Sequence, residues 1–253
     1  MFWFKKWRRN RIASRQFPSH WLRIIESNVP LYNRLPVADK TELQKHILVF
    51  IAEKHFEGCG GLKITDEIKV VIAAQACMLL LHRKTDYYPG LSSVLVYPHA
   101  FIANRAEYLP GGVIAEGPQV LLGESHSRGS IVLSWDDVRH GAADVNDGQN
   151  VVFHEFAHQI DSSSGRGDDS EVLKNTSSYI AWARVLRKDY ELLRQAAQRN
   201  NPAFLNKYGA IDPAEFFAVA TEFFFEKPTE LKQVHPDLYN ELKKFYHQDL
   251  GSF

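Results

Sequence analysis

The chain has 253 residues, enough to bury the core of one enzyme-sized domain. Its 30 basic and 30 acidic residues cancel, so no global field draws it to a polyanion, and a direct nucleic-acid partner is disfavoured. Only two cysteines occur, Cys59 and Cys77, which argues against a disulfide framework and for a reducing, cytoplasmic setting.

Residues 1–18, MFWFKKWRRNRIASRQFP, mix aromatics with Lys5, Lys6, Arg8, Arg9, Arg11 and Arg15. Without an apolar core or a small-residue cleavage site, the stretch is not a secretory signal. It reads as a basic aromatic tail, a short solvated arm in the plainer case, or one that touches anionic lipid or a partner protein. From Ser19 to about Leu81 the pattern is helical. In TELQKHILVFIAEKHFEG, Leu43, Ile47, Ile51 and Phe56 approximate one apolar face, and Gly58, Gly60 and Gly61 are expected to end that helix. The segment from Ile64 to His82 reads as a buried helix, and its apolar run is too short to span a bilayer, so no transmembrane segment is expected.

Between Tyr87 and Trp135 short β-branched and aromatic runs, SVLVYPHAFIA, QVLLGES and SIVLSW, alternate with glycine and proline breaks, as strands and turns do. SIVLSW is expected at a sheet edge, where it could pair with an extended peptide. After GAADVNDGQN the helical pattern returns over 151–162, 178–200, 213–226 and 237–248, with a loop at SSSGRGDDS, residues 162–170. The fold class is therefore α+β: mainly helical, with a small mixed β-sheet beside the helix that carries His154 and His158. The expected organisation is a tail at 1–18 and one domain at 19–253, the latter with a helical part (19–86) and a catalytic part (87–253).

That helix reads VVFHEFAHQID, residues 151–161. Residues four apart share a helix face, so His154 and His158 aim both imidazoles at one point, the geometry of a zinc chelate. Glu155 lies near enough to reach a metal-bound water without having to ligate the ion. Val152, Phe156 and Ile160 mark the opposite, core-facing side. The bland alternative is a polar helix face turned to water. Asp161 is either a partner that orients a ligand histidine or a helix-end cap.

Hydrolytic zinc usually has three protein ligands and a position for water, so a third donor is needed. It is sought in YGAIDPAEFFAVATEFFFEKP, residues 208–228. Asp212 can cap a helix that starts at Pro213, which puts Glu215 at its third position. There Glu215 could ligate, or merely close a capping box. Glu222, seven residues on and nearly on the same face, is the rival ligand or a partner for a histidine. Phe216, Phe217, Phe223, Phe224 and Phe225 surround both acids, and a lone carboxylate among them would be costly.

The stretches DGQNVVFHEFAHQID (147–161) and YGAIDPAEFFAVATEFFF (208–225), and more weakly VIAAQACMLLL and SIVLSWDDV, resemble the Mlc titration factor A family of bacterial zinc-dependent peptidases, similar to the catalytic domain of anthrax lethal factor. The resemblance runs from about residue 35 onward. It implies a gluzincin-like zincin binding one Zn2+ per chain through His154, His158 and Glu215, with Glu155 as general base and Tyr208 as a catalytic hydroxyl. It further implies aminopeptidase-type activity on peptide substrates and binding to the transcriptional repressor Mlc, and so an influence on the glucose phosphotransferase system. The other function class it allows is a non-catalytic repressor-binding protein whose metal site is structural or regulatory.

Overall fold

Helices α1 (Phe2–Ala13), α2 (Ser19–Asn28), α3 (Pro30–Arg34) and α4 (Val37–Glu53) open the chain in the computed structural model, which describes residues 2–109, 113–121, 123–126, 129–163 and 176–252. Residues 2–13 are thus a helix and not a solvated arm. Ile12 is buried, and the Arg9 guanidinium grips Glu53 of α4 through two hydrogen bonds of 2.9 and 2.7 Å while lying 4.8 Å from the Tyr87 ring. The chain is neutral only as a whole, so a helix with basic residues and no acid leaves the rest of the chain with an acidic excess, and planar donors matched to a carboxylate fasten the one to the other.

α4 also stops earlier than its apolar spacing predicts. Lys54 leaves helical geometry, and His55–Gly58 forms strand β1, paired in parallel with β2 (Ser93–Tyr97). Phe56 imitated a helix position because it does pack on the same core, its ring 6.2 Å from that of Phe50. The pairing partner lies far along the chain, so local periodicity could not reveal it. Gly60 and Gly61 follow with φ of 59° and 83°, left-handed values suited to glycine, and turn the chain toward α5 (Asp66–Met78). Thr65 caps α5 by accepting from the Ile68 N–H at 3.3 Å, and every residue from Val70 to Met78 is buried, as expected of a helix apolar on all sides.

The main sheet has the order β1-β2-β6-β5, with β5 spanning Gly123–His126 and β6 Ser130–Ser134. β6 pairs in parallel with β2 and antiparallel with β5, making the sheet mixed. SIVLSW is consequently an interior strand, and the edge expected there belongs to β5. The run of buried residues Ile131, Val132 and Leu133 is the reason: a strand covered on both faces reads as continuously apolar, whereas edges are polar and short. β5 lies beside the histidine-bearing helix α7 (Val151–Ser163). Strands β3 (Phe101–Leu109) and β4 (Val113–Leu121) form a separate antiparallel pair.

Past β6 the chain is helical: α6 (Trp135–Ala143), α7, α8 (Thr176–Gln198), a 3-10 turn at Lys207–Ala210, α9 (Pro213–Glu226), α10 (Pro228–Val234) and α11 (Pro236–Tyr246). Of the loop expected at 162–170, residues 164–170 lie outside the described residues. α9 packs along α7, with the Phe225 ring centroid 4.9 Å from that of Phe153, while Phe224 turns to α11, its ring 5.7 Å from that of Tyr246. Among the described residues, no helix is long and apolar enough to cross a membrane.

Candidate metal centre

Two helix starts set the site. α7 begins after Asn150, whose Oδ1 accepts from the N–H groups of Val152 (3.1 Å) and Phe153 (3.0 Å), the bonding of an N-cap. Val152, Phe153, Phe156, Ala157 and Ile160 are buried, which turns His154 and His158 toward the opposite, partly open side. Glu155 is buried to 6% exposure on the same helix. α9 begins after Asp212, whose Oδ1 accepts from the N–H groups of Ala214 (2.8 Å) and Glu215 (2.9 Å). Asp212 alone closes that end, which frees the Glu215 carboxylate for the histidines.

Glu215 Oε2 lies 2.9 Å from His154 Nε2 and 3.5 Å from His158 Nε2, and the two imidazole nitrogens are 3.2 Å apart. A tetrahedral ion bound at about 2.0 to 2.1 Å holds two nitrogens about 3.3 Å apart, so the donor set fits such an ion. His154, His158 and Glu215 could together coordinate a metal, their ligand atoms all lying within 4.8 Å of one another.

Glu222 stands behind this group. Its Oε1 is 2.7 Å from His154 Nδ1, and its Oε2 accepts from the Asn150 N–H at 2.6 Å. A carboxylate on Nδ1 favours the proton there, which leaves the Nε2 lone pair available when an ion replaces the second proton. The two acids on α9 thus take different positions, Glu215 in the cluster and Glu222 on the far nitrogen.

Without an ion, charge is redistributed among these groups. Burial works to lower the His154 pKa, but Glu215 and Glu222 overcome it and raise the imidazole to about 10. Burial pushes Glu215 up, yet bonds to His154 and His158 bring it down to about 2. A metal would take the place of that imidazolium proton as the positive partner of Glu215.

Tyr208 sits in the 3-10 turn, where Asn206 Oδ1 accepts from its N–H at 3.0 Å. Its ring centroid is 5.8 Å from that of His154, and the residue is 47% exposed, so it borders the open side of the cluster. Asp161 is exposed in the last turns of α7.

Sequence reasoning missed a buried polar network that holds the start of α7. Asn150 Nδ2 reaches Gln75 Oε1 of α5 (2.8 Å), the Gly141 carbonyl of α6 (2.9 Å) and Glu226 Oε1 of α9 (3.1 Å), while Glu226 Oε2 accepts from the Gly148 N–H at 3.1 Å. Gly148 has φ of 78°, and a Cβ there would come within 2.7 Å of the Phe223 ring, so only glycine fits. An asparagine immediately before an apolar helical run is an N-cap signal, and a lone glutamine in an apolar helix asks for a partner; both were readable, their meeting was not. Asn150→Ala should lower unfolding free energy by about 3 kcal/mol, combining a lost cap with unpaired buried acceptors. Urea denaturation measures this, and a loss below about 1 kcal/mol would show the network to be dispensable.

Burial pushes Glu226 up to about 9 from an ordinary 4.5, against the pull of Asn150. Ionisation of this group then opposes folding: the contribution of its neutral form is complete below 4.5 and is lost as pH rises through about 9. Over that window Glu226→Gln should show a flatter pH dependence of the urea midpoint than the wild type. Parallel curves would mean that Glu226 is ionised throughout.

A His-His-Glu cluster on two packed helices, with a short mixed sheet alongside, defines an α+β protein of zincin-like arrangement and metallopeptidase type. The model of the glucose-regulated metallo-peptidase M90 family matches residues 4–247, and the chain belongs to that family. It is 38% identical over 241 residues to an uncharacterised protein of Synechocystis, covering 95% of this chain and 88% of the relative. It is also 30% identical to Mlc titration factor A of Serratia proteamaculans, over 87% of this chain and 84% of the relative, and 30% identical to that of Pectobacterium atrosepticum, over 91% and 86%. The family match begins at residue 4 and so takes in most of α1, ahead of the point near residue 35 from which the resemblance is legible.

Proposed function

We propose that the protein is a zinc-dependent, aminopeptidase-like metallopeptidase. The observation that carries this reading is the convergence of His154 Nε2, His158 Nε2 and Glu215 Oε2 beside a glutamate on the same helix as the histidines. Zinc, when bound, supplies Lewis-acid charge that makes water a nucleophile near neutral pH and polarises the scissile carbonyl. Glu155 takes the proton of the attacking water and delivers it to the leaving amine. Tyr208 donates a hydrogen bond to the oxyanion of the tetrahedral species. Glu222 keeps the proton on His154 Nδ1 and so fixes the ring. The edge position of β5 beside α7 supports a substrate held as an added strand, read through its backbone.

We also propose a second, compatible activity, binding of the repressor Mlc with an effect on expression of the glucose phosphotransferase system; relatives named Mlc titration factor A support the contact with Mlc. Those names also favour the alternative in which repressor binding is the whole function and the metal site is structural or regulatory. The two free cysteines, one of them buried, support a cytoplasmic setting. The test pairs zinc analysis of the purified protein with hydrolysis of amino-acid and peptide reporters, before and after chelation. Zinc near one equivalent with chelator-sensitive hydrolysis supports a peptidase. A zinc-loaded protein inert toward every reporter, yet retaining Mlc in a pull-down, would transfer the function to the binding alternative.

A further inference from the structure

We propose that the outward face of α1 is a docking surface for an anionic membrane, which would hold the protein peripherally at a bilayer containing acidic phospholipid. The helix is fixed in orientation by its inner face. Lys5 Nζ donates to Asp86 at 3.1 Å, Arg9 holds Glu53, and Ile12 is buried, positions that recur at helical spacing. The outer face is consequently also fixed, and its composition is the reverse of an ordinary surface helix. Phe4 is 70% exposed and Trp7 54%, their rings 6.1 Å apart, with the Arg11 guanidinium 5.7 Å from the Trp7 ring.

Lys6, Arg11 and Arg15 are exposed on or just beyond the same helix, whose sequence FWFKKWRRNRIA contains no acid to neutralise them, while Arg8 reaches back to the Ala52 carbonyl of α4 at 3.4 Å. Among the described residues no ion pair engages Lys6, Arg11 or Arg15, so the patch stays cationic although the chain as a whole is neutral. Phe and Trp left this exposed gain little in water, whereas the headgroup boundary accepts aromatic rings and places phosphates within reach of Lys and Arg. That joint demand favours lipid over nucleic acid. A convex helix offers no groove for a strand, and a duplex offers no apolar phase for Phe4.

The full-length protein is sedimented with vesicles of phosphatidylcholine, alone or mixed with phosphatidylglycerol, at low and high salt. Binding to the mixed vesicles only, weakened by salt, is the expected result. Lys6→Gln and Arg11→Gln should each weaken it about five-fold, the factor a basic residue contributes at an anionic surface. Phe4→Ala combined with Trp7→Ala should weaken it further, while Arg194→Gln, at an exposed position on α8, should leave it unchanged. Unaltered circular dichroism and zinc content of the α1 variants show that the fold survives. Failure to bind mixed vesicles, or binding indifferent to the α1 substitutions, overturns the proposal. Displacement by an oligonucleotide at equal charge concentration would reassign the face to polyanions in general and overturn it as well.

Discussion

Glu155→Ala should leave zinc bound and the helices intact while peptide hydrolysis falls by about a hundred- to ten-thousand-fold, the range over which a positioned acid or base contributes. The expectation rests on position. Glu155 is one residue from His154 on α7, whose five buried apolar residues fix the helix against the core. It is not among the residues whose ligand atoms converge, so its removal takes no donor from the ion. Because the side chain is 6% exposed, Glu155→Gln is the companion variant, close in volume and unable to accept a proton as a carboxylate does. Both variants should lose kcat rather than KM, since proton transfer is made in the transition state. Hydrolysis persisting at wild-type level in a zinc-replete Glu155→Gln protein would remove Glu155 as the base. A Mlc pull-down on the same protein separates the functions, because repressor binding that survives the substitution does not depend on catalysis.

Glu215→Ala and Glu222→Ala should differ in metal content, and the order is the point. Glu215 is the carboxylate whose oxygen stands 2.9 and 3.5 Å from the two imidazole donors, so if the cluster holds zinc as proposed its loss removes one of three donors and should strip the ion during dialysis. Glu222 meets His154 at its far nitrogen, and loss of a partner of that kind costs about ten- to a hundred-fold in metal affinity. It should therefore keep zinc at micromolar excess. Its accompanying cost is structural, since the Asn150 N–H would lose its 2.6 Å acceptor in a buried setting. Zinc titration by competition with a chromophoric chelator gives both affinities; a weaker site in Glu222→Ala than in Glu215→Ala would exchange their roles.

Legibility followed the range of the interactions. The histidine pair was readable because a helix brings residues four apart together whatever surrounds it, and VVFHEFAHQID carries a helical apolar pattern of its own. The start of α9 was equally local: Asp212, Pro213 and Glu215 mark a capped first turn, and its observed span, Pro213–Glu226, is the one its pattern predicts. Choosing between Glu215 and Glu222 was not local, because two acids seven apart lie on nearly one face and only the placement of α7 decides which meets Nε2 and which meets Nδ1.

The sequence by itself determined the mainly helical character, the His154–His158 face and the acids on α9, all consequences of periodicity and capping within one segment. The tertiary structure alone decided that HFEG is a strand, that SIVLSW is interior and β5 the edge, and that residues 2–13 dock as a helix. It also brought Asn150, Gln75 and Glu226 together from three separate helical regions. The physical reason is common to all of these: strand pairing and buried hydrogen bonds are satisfied by groups distant in the chain, and no window of local sequence records which distant group that will be.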